Sequence, residues 1–242
     1  ELNAAISDID TVVTSDSHLV TIDWGDDTSS DSVNNQTDVT ITANAADDAG
    51  AVQAFHTYAE TGVYRVTVTV TDSTPDCGSL FDEEMFEYVV VYDPSGGFVT
   101  GGGHILSPEE AYSADTSLTG KASFGFVSKY KKGANVPTGN TQFQFKAGDL
   151  NFHSDVYQWM VVGGARAQFK GEGSINGEGV FKFMLTAIDG QVSGGNDVDK
   201  FRIKIWHAEG IVYDNQMGDA DDATVSTAID AGSIVIHTSK KK

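Results

Sequence analysis

Hydrophobic and polar residues alternate along most of this chain, and the period is two rather than 3.6. Tyr64, Val66, Val68 and Val70 are interleaved with Arg65, Thr67 and Thr69, which predicts a strand with one face in a core. Residues 19–24, 39–42 and 86–92 read the same way. Further along, aromatics carry the pattern: Phe124 with Phe126, Phe143 with Phe145, Trp159 with Val161, Ala167 with Phe169, Phe181 with Phe183, and Phe201 with Ile203 and Ile205. Clusters of Asp, Asn, Ser and Gly separate the runs and supply turns. Asn176-Gly177 lies between two of them and predicts a two-residue hairpin, because both positions accept positive φ. No helical-period stripe has useful length, and only the acidic patch at 219–227 offers a short helix. The predicted fold class is all-β, built as two tandem β-sandwich modules.

Charge sets where one module ends. Residues 1–96 hold 19 of the 35 acidic side chains and a single basic one, Arg65, for a formal charge of −18. The remainder holds 16 acidic and 14 basic side chains, or −2. The change falls at Asp93-Pro94-Ser95-Gly96-Gly97, which predicts a first module over 1–93, a linker over 94–97 and a second module over 98–242. Sixteen of the 24 aromatic residues follow residue 96, enough to fill a larger second interior.

A surface this acidic repels phosphate backbones, so nucleic acid is not an expected partner. It suits a divalent cation, a basic protein patch or plain solubility. The single cysteine, Cys77, closes no intramolecular disulfide and is compatible with export. No apolar run approaches the ~18 to 20 residues of a helical span, so membrane insertion is not expected. The chain opens at Glu1 without a start methionine or a signal-peptide core, as a mature or excised part of something longer would.

Two motifs of the first module carry a resemblance. Asp23-Trp24-Gly25-Asp26-Asp27-Thr28 resembles the DWGDGT turn of PKD domains, with Asp27 where that family has glycine. The run from His56-Thr57-Tyr58 through Gly62, Tyr64, Val66, Val68 and Val70 to Asp72 resembles their HTYxxxGxYxVTVTVTD strand pair. The resemblance implies a seven-stranded Ig-like sandwich in which Trp24 packs in the core while the tyrosines and Gly62 fix a strand-to-strand corner. It makes Asp23, Trp24, Gly25, Asp26, His56, Tyr58, Gly62 and Tyr64 the structural signature. It also implies a non-catalytic spacer or interaction unit of a bacterial surface protein or secreted hydrolase.

In the second module, Gly101-Gly102-Gly103-His104, residues 120–130, Asn151-Phe152-His153-Ser154 and residues 199–206 resemble a C-terminal module that follows PKD-type repeats in large bacterial exoproteins. His104 stands where tryptophan is expected after the glycines. This resemblance implies location and architecture, not a mechanism.

Signatures of an enzyme are missing: no HExxH pair, no G-x-S-x-G elbow, no phosphate loop. The run 171–177 is glycine-rich but lacks a lysine and a following helix, and reads as a hairpin. Glu172 and Glu178 flank its turn and could face each other as a carboxylate pair, although solubilising charge is the usual role of such a pair. His104, His153, His207 and His237 fall on four separate predicted strands or strand ends, with no spacing that demands zinc. For calcium, Ser7-Asp8-Ile9-Asp10 places two carboxylates, Asp8 and Asp10, on one side of an extended segment, and hard oxygen donors suit that ion. The resemblance agrees, since some PKD domains bind calcium at this end. Asp189, Asp197 and Asp199 bracket a glycine-rich loop and form a second candidate.

The expected function is therefore a non-catalytic extracellular adhesion or interaction module, with a carbohydrate-binding accessory region of a secreted hydrolase as the alternative. Its expected partner is a surface protein or a polysaccharide, and self-association is a further option. An exposed row of aromatics on the second module would favour sugar, while an aliphatic patch or open strand edge would favour protein contact.

Overall fold

The computed structural model describes residues 1–7, 18–35, 38–44, 49–72, 80–93, 95 and 97–238. The chain divides into two compact units, Glu1–Ala59 with Val63–Val89, and Glu60–Gly62 with Val90–Lys242. Cys77, Asp8 and Asp10 lie outside the described residues, and so does the first calcium candidate.

Among the described residues the first unit has seven strands: β1 (Leu2–Ser7), β2 (His18–Asp23), β3 (Ser29–Asp31), β4 (Val39–Asn44), β5 (Ala49–Ala54), β6 (Gly62–Asp72) and β7 (Leu80–Val91). They form a three-stranded sheet, β1-β5-β4, and a four-stranded sheet, β3-β2-β6-β7. Alternation decides which side chains meet. Val20 and Ile22 of β2 and Val66 and Val68 of β6 join Val39, Val52 and Ala54 of the other sheet in one buried cluster. The two sheets are held face to face by that cluster, an aligned sandwich in miniature.

The second unit is one nine-stranded antiparallel sheet in the order β15-β14-β13-β12-β11-β10-β9-β8-β16. Its strands are β8 (Gly97–Ser107), β9 (Gly120–Lys129), β10 (Thr138–Phe145), β11 (Leu150–Gly163), β12 (Arg166–Ile175), β13 (Glu178–Ile188), β14 (Lys200–His207), β15 (Gly210–Asp214) and β16 (Ala231–Thr238). The sheet curls until its halves face each other across a core of aromatic rings. Phe124 of β9 stacks on Phe201 of β14 at 4.0 Å, and Phe143 of β10 meets Tyr213 of β15 at 4.6 Å. These side chains share no member with the first unit's cluster, so each unit has its own core.

Asn176 and Gly177 take φ of +55° and +80° between β12 and β13, the conformation a two-residue hairpin needs. The ladder places Ile175 opposite Glu178 and Lys182 opposite Glu172. Glu172 and Glu178 therefore do not face each other, which removes the paired carboxylates. Residues 219–227 form no helix. The main-chain carbonyls of Asp219, Ala220, Asp221 and Ala223 accept instead from Arg202, Gln168 and Arg166, so this acidic patch is strapped across the outer side of the sheet.

β11 carries two register shifts, at Ser154/Val156 and at Tyr157/Trp159. Each bulge advances the alternation by one residue. Tyr157 and Met160 consequently point inward, whereas Trp159 pairs with Lys170 on the outer side.

Candidate functional site

Around the turn after β2, residues of the expected structural signature come together. The Trp24 side chain is 4 % exposed, its ring lies flat on His56 at 4.8 Å, and its Nε1 donates to Ser30 Oγ. Tyr58 meets His56 edge-on at 4.6 Å, stacks on Tyr64 at 4.2 Å and donates its hydroxyl to the Trp24 carbonyl. Asp26 Oδ2 sits 2.8 Å from His56 Nε2. Burial alone would raise the Asp26 carboxyl, but hydrogen bonds from Thr28 and His56 and the His56 charge hold it below its ordinary value. Burial, with the Asp26 charge behind it, pushes the Tyr58 hydroxyl up to about 12.

Gly25 is fixed by two constraints: its φ is +75°, and a Cβ would lie 2.3 Å from the Arg65 carbonyl oxygen. Asp23 Oδ1 accepts from its amide. Asp27 adopts φ +65° although it is not glycine, which aspartate tolerates better than most residues. Gly62 opens β6. These contacts are a corner of packed rings. The cavity beside them, lined by Leu2, Trp24, His56, Tyr58, Phe86 and Val89 among others, holds about 200 Å³, below the usual span of ligand pockets.

The second candidate calcium site has another role. Asp189 Oδ1 accepts from the Gln191 amide and its Oδ2 from Ile236; Asp199 Oδ1 accepts from Gly190 and its Oδ2 from Ile234. Both carboxylates thus satisfy main-chain N–H groups, two of them on the free side of β16. Asp197 is exposed, with φ +59°. Among the described residues no three or more His, Cys, Asp or Glu side chains gather as a metal would require. The four histidines stay apart: His237 stacks on Phe98 at 4.1 Å, His207 meets Phe181, His153 bonds the Ser154 carbonyl, and His104 lies on β8. No helix of the described residues is long and apolar enough to cross a membrane.

Most aromatics of the second unit line the inner, packed side of the sheet. Trp206 is on the outer side, but Lys170 and Lys204 lie over its ring at 5.4 and 5.5 Å, and Lys204 is tied to Asp221 at 2.7 Å. A bare aromatic row for sugar stacking is not what this side of the sheet offers.

A different feature marks the outer side of β16, β8, β9, β10, β11 and β12. One transverse row runs Ser233, Gly102, Gly125, Gln142, His153 and Ser174, each opposite the next across a ladder. Interior-strand glycine is disfavoured by roughly 0.5–1 kcal/mol relative to alanine. Gly101 and Gly103 have packing reasons: a Cβ would lie 2.4 Å from the Phe126 ring or 2.1 Å from the Ala231 carbonyl oxygen. Gly102 and Gly125 have none. Neither has positive φ; a Cβ on Gly125 would meet nothing within 4 Å, and on Gly102 only a carbonyl oxygen at 3.8 Å. The pair floors a shallow groove with Thr100 and Val127 on one side and His104 and Ser123 on the other.

Along the strands, beyond the Thr100–Val127 pair, Phe98 and Lys129 help line a cavity of about 450 Å³ with Ser95, Gly97, Tyr130, Lys132 and Gly133. Phe98, 37 % exposed, and Lys129 face each other across the same ladder that pairs Gly102 with Gly125. Tyr130 is held by its hydroxyl, which accepts from the Met160 amide and donates to the Met160 carbonyl, and its ring stacks on Tyr92. None of the 35 acidic side chains lies in β16, β8, β9 or β10.

Pattern reading missed this face because it asks which residues are buried, and these are not. The signal was nevertheless in the sequence: between Asp115 and Asp149 there are five lysines and no acidic residue, in a chain of net charge −20. No family model, no curated protein and no solved structure matches the chain.

Proposed function

We propose that this chain is a non-catalytic interaction region of a bacterial surface or secreted protein, in which a PKD-type first unit serves as spacer and the second unit makes the contact. The Gly102–Gly125 pair carries the reading. Two adjacent strands omit their side chains where neither backbone conformation nor packing asks for it, and a close approach by a partner is the remaining physical reason for glycine there. The acidic clusters support the non-catalytic part, since Asp189, Asp199 and Asp214 are committed to main-chain amides or to Arg202. The signature contacts around Trp24 and the seven-strand first unit support the PKD-type part.

The carbohydrate-binding alternative is favoured by the groove's flanks, where Thr100, Ser123 and Gln142 offer hydrogen bonds suited to hydroxyl groups. The test fills the floor. Gly102→Tyr/Gly125→Tyr should leave the melting temperature unchanged or raise it, because tyrosine favours strands and the space is open. A partner found by screening surface polysaccharides and matrix proteins with the whole chain should lose its affinity for this variant. Equal binding by a stable filled variant would overturn the reading.

A further inference from the structure

We infer that the partner of this face is an anionic polysaccharide, whose carboxylate or sulfate enters the cavity bounded by Phe98, Lys129, Tyr130 and Lys132 while neighbouring sugars lie along the glycine floor. The inference rests on the contact face proposed above and names its ligand class.

Charge is the first argument. The chain as a whole repels anions, so an anion is held only where acidic side chains are absent and cations are close. Strands β16, β8, β9 and β10 are four neighbouring strands with no Asp or Glu, and Lys129, Lys131 and Lys132 stand at their end, outnumbering Asp93, whose carboxylate is occupied by Ser95 of the cavity wall. Screening at ~10 Å in 0.1 M salt confines the distant acidic residues' influence, whereas the lysines act at contact range.

Shape and chemistry are the second. A volume of about 450 Å³ lies within the range of small-ligand sites. Phe98 and Tyr130 present ring surface to the apolar face of a pyranose, and the lysines supply donors to its charged group. Beyond the cavity the lining is mostly amide, hydroxyl and imidazole, with Val127 and Val235 as small apolar members. That composition suits a hydroxylated chain better than a protein interface core, which is richer in large apolar anchors. A nucleic acid would need many more phosphate contacts than these lysines provide.

The experiment measures binding of the whole chain to a polyuronate, a sulfated glycan, a neutral glucan and single-stranded DNA at 50 and 300 mM sodium chloride. Expected is binding to the polyuronate, the sulfated glycan or both, weakened several-fold by the higher salt. Lys129→Ala/Lys132→Ala should weaken it tenfold or more with an unchanged melting temperature, Phe98→Ala should weaken it too, and Lys182→Ala on β13 should not. No binding to either anionic glycan, equal loss in Lys182→Ala, or comparable affinity for DNA would overturn the proposal. Binding to the neutral glucan alone, abolished by Gly102→Tyr/Gly125→Tyr, would sink the anionic class but keep the contact face. Anionic binding that survives those glycine substitutions would instead sink the contact face.

Discussion

Arg202 grips Asp214 through two parallel hydrogen bonds, Nε to Oδ1 at 3.0 Å and Nη2 to Oδ2 at 2.8 Å, with side chains only 2 % and 1 % exposed. The same guanidinium donates to the carbonyls of Asp219 and Ala220, so it also anchors the strap that crosses the outer side of the sheet. Taking one partner away leaves an uncompensated buried charge. Asp214→Ala should therefore cost about 3–5 kcal/mol. In a domain of this size that lowers the melting temperature by roughly 6–20 °C. The double variant Arg202→Met/Asp214→Leu should be less damaging than Asp214→Ala, and calorimetry of the three proteins checks the order.

Trp24 sits at the junction of turn, core and ring array. Trp24→Ala removes a buried indole and should cost on the order of 3–5 kcal/mol, seen as an early transition of the first unit in chemical denaturation. A midpoint close to that of the unsubstituted protein would show that the ring corner does not hold the unit together.

Acid should act on the same corner. The Asp26 carboxyl is depressed in the folded state, so its contribution is present above the unfolded value near 3.8 and is lost as pH falls through the lower folded value. Tyr58 works in the opposite direction. With its hydroxyl raised to about 12, it favours the folded state below pH ~10 and ceases to do so as pH rises from there to about 12. Asp26→Asn should flatten the acid limb of the first unit's stability profile, and Tyr58→Phe the alkaline limb. Unchanged limbs in these variants would assign the pH response to other groups.

Alternation made most of the fold legible. Val66, Val68, Phe143, Phe145, Phe201 and Ile203 are all buried, as a period of two requires. It misplaced Trp159, because bulges in β11 insert residues that change the phase without any mark in the hydrophobic pattern. The strap at 219–227 was opaque for a related reason: its carbonyls are claimed by Arg166, Gln168 and Arg202 from distant strands, so no local propensity decides its shape. The contact face was opaque because glycine reads as a turn residue, and only the ladder shows Gly102 lying opposite Gly125 in mid-strand. Asp189 and Asp199 look like metal ligands in sequence since oxygen donors are the same whether they face an ion or an amide.

Those two carboxylates lead to the last prediction. β16 is the terminal strand of the sheet, and an edge strand offers unpaired N–H groups to other chains. Asp199 Oδ2 and Asp189 Oδ2 occupy the Ile234 and Ile236 amides at 2.7 and 2.8 Å, so charged side chains stand where another strand would pair. Hydrogen bonds to charged groups contribute about 1.5–3 kcal/mol each. Asp189→Ala/Asp199→Ala should destabilise the second unit and, more tellingly, make it self-associate in proportion to concentration through the uncovered edge. Asp189→Asn/Asp199→Asn keeps a carbonyl acceptor at each position and should remain largely monomeric. Light scattering over a concentration series separates the two. If the alanine variant is less stable yet monodisperse throughout, the carboxylates fasten β16 but do not guard its edge.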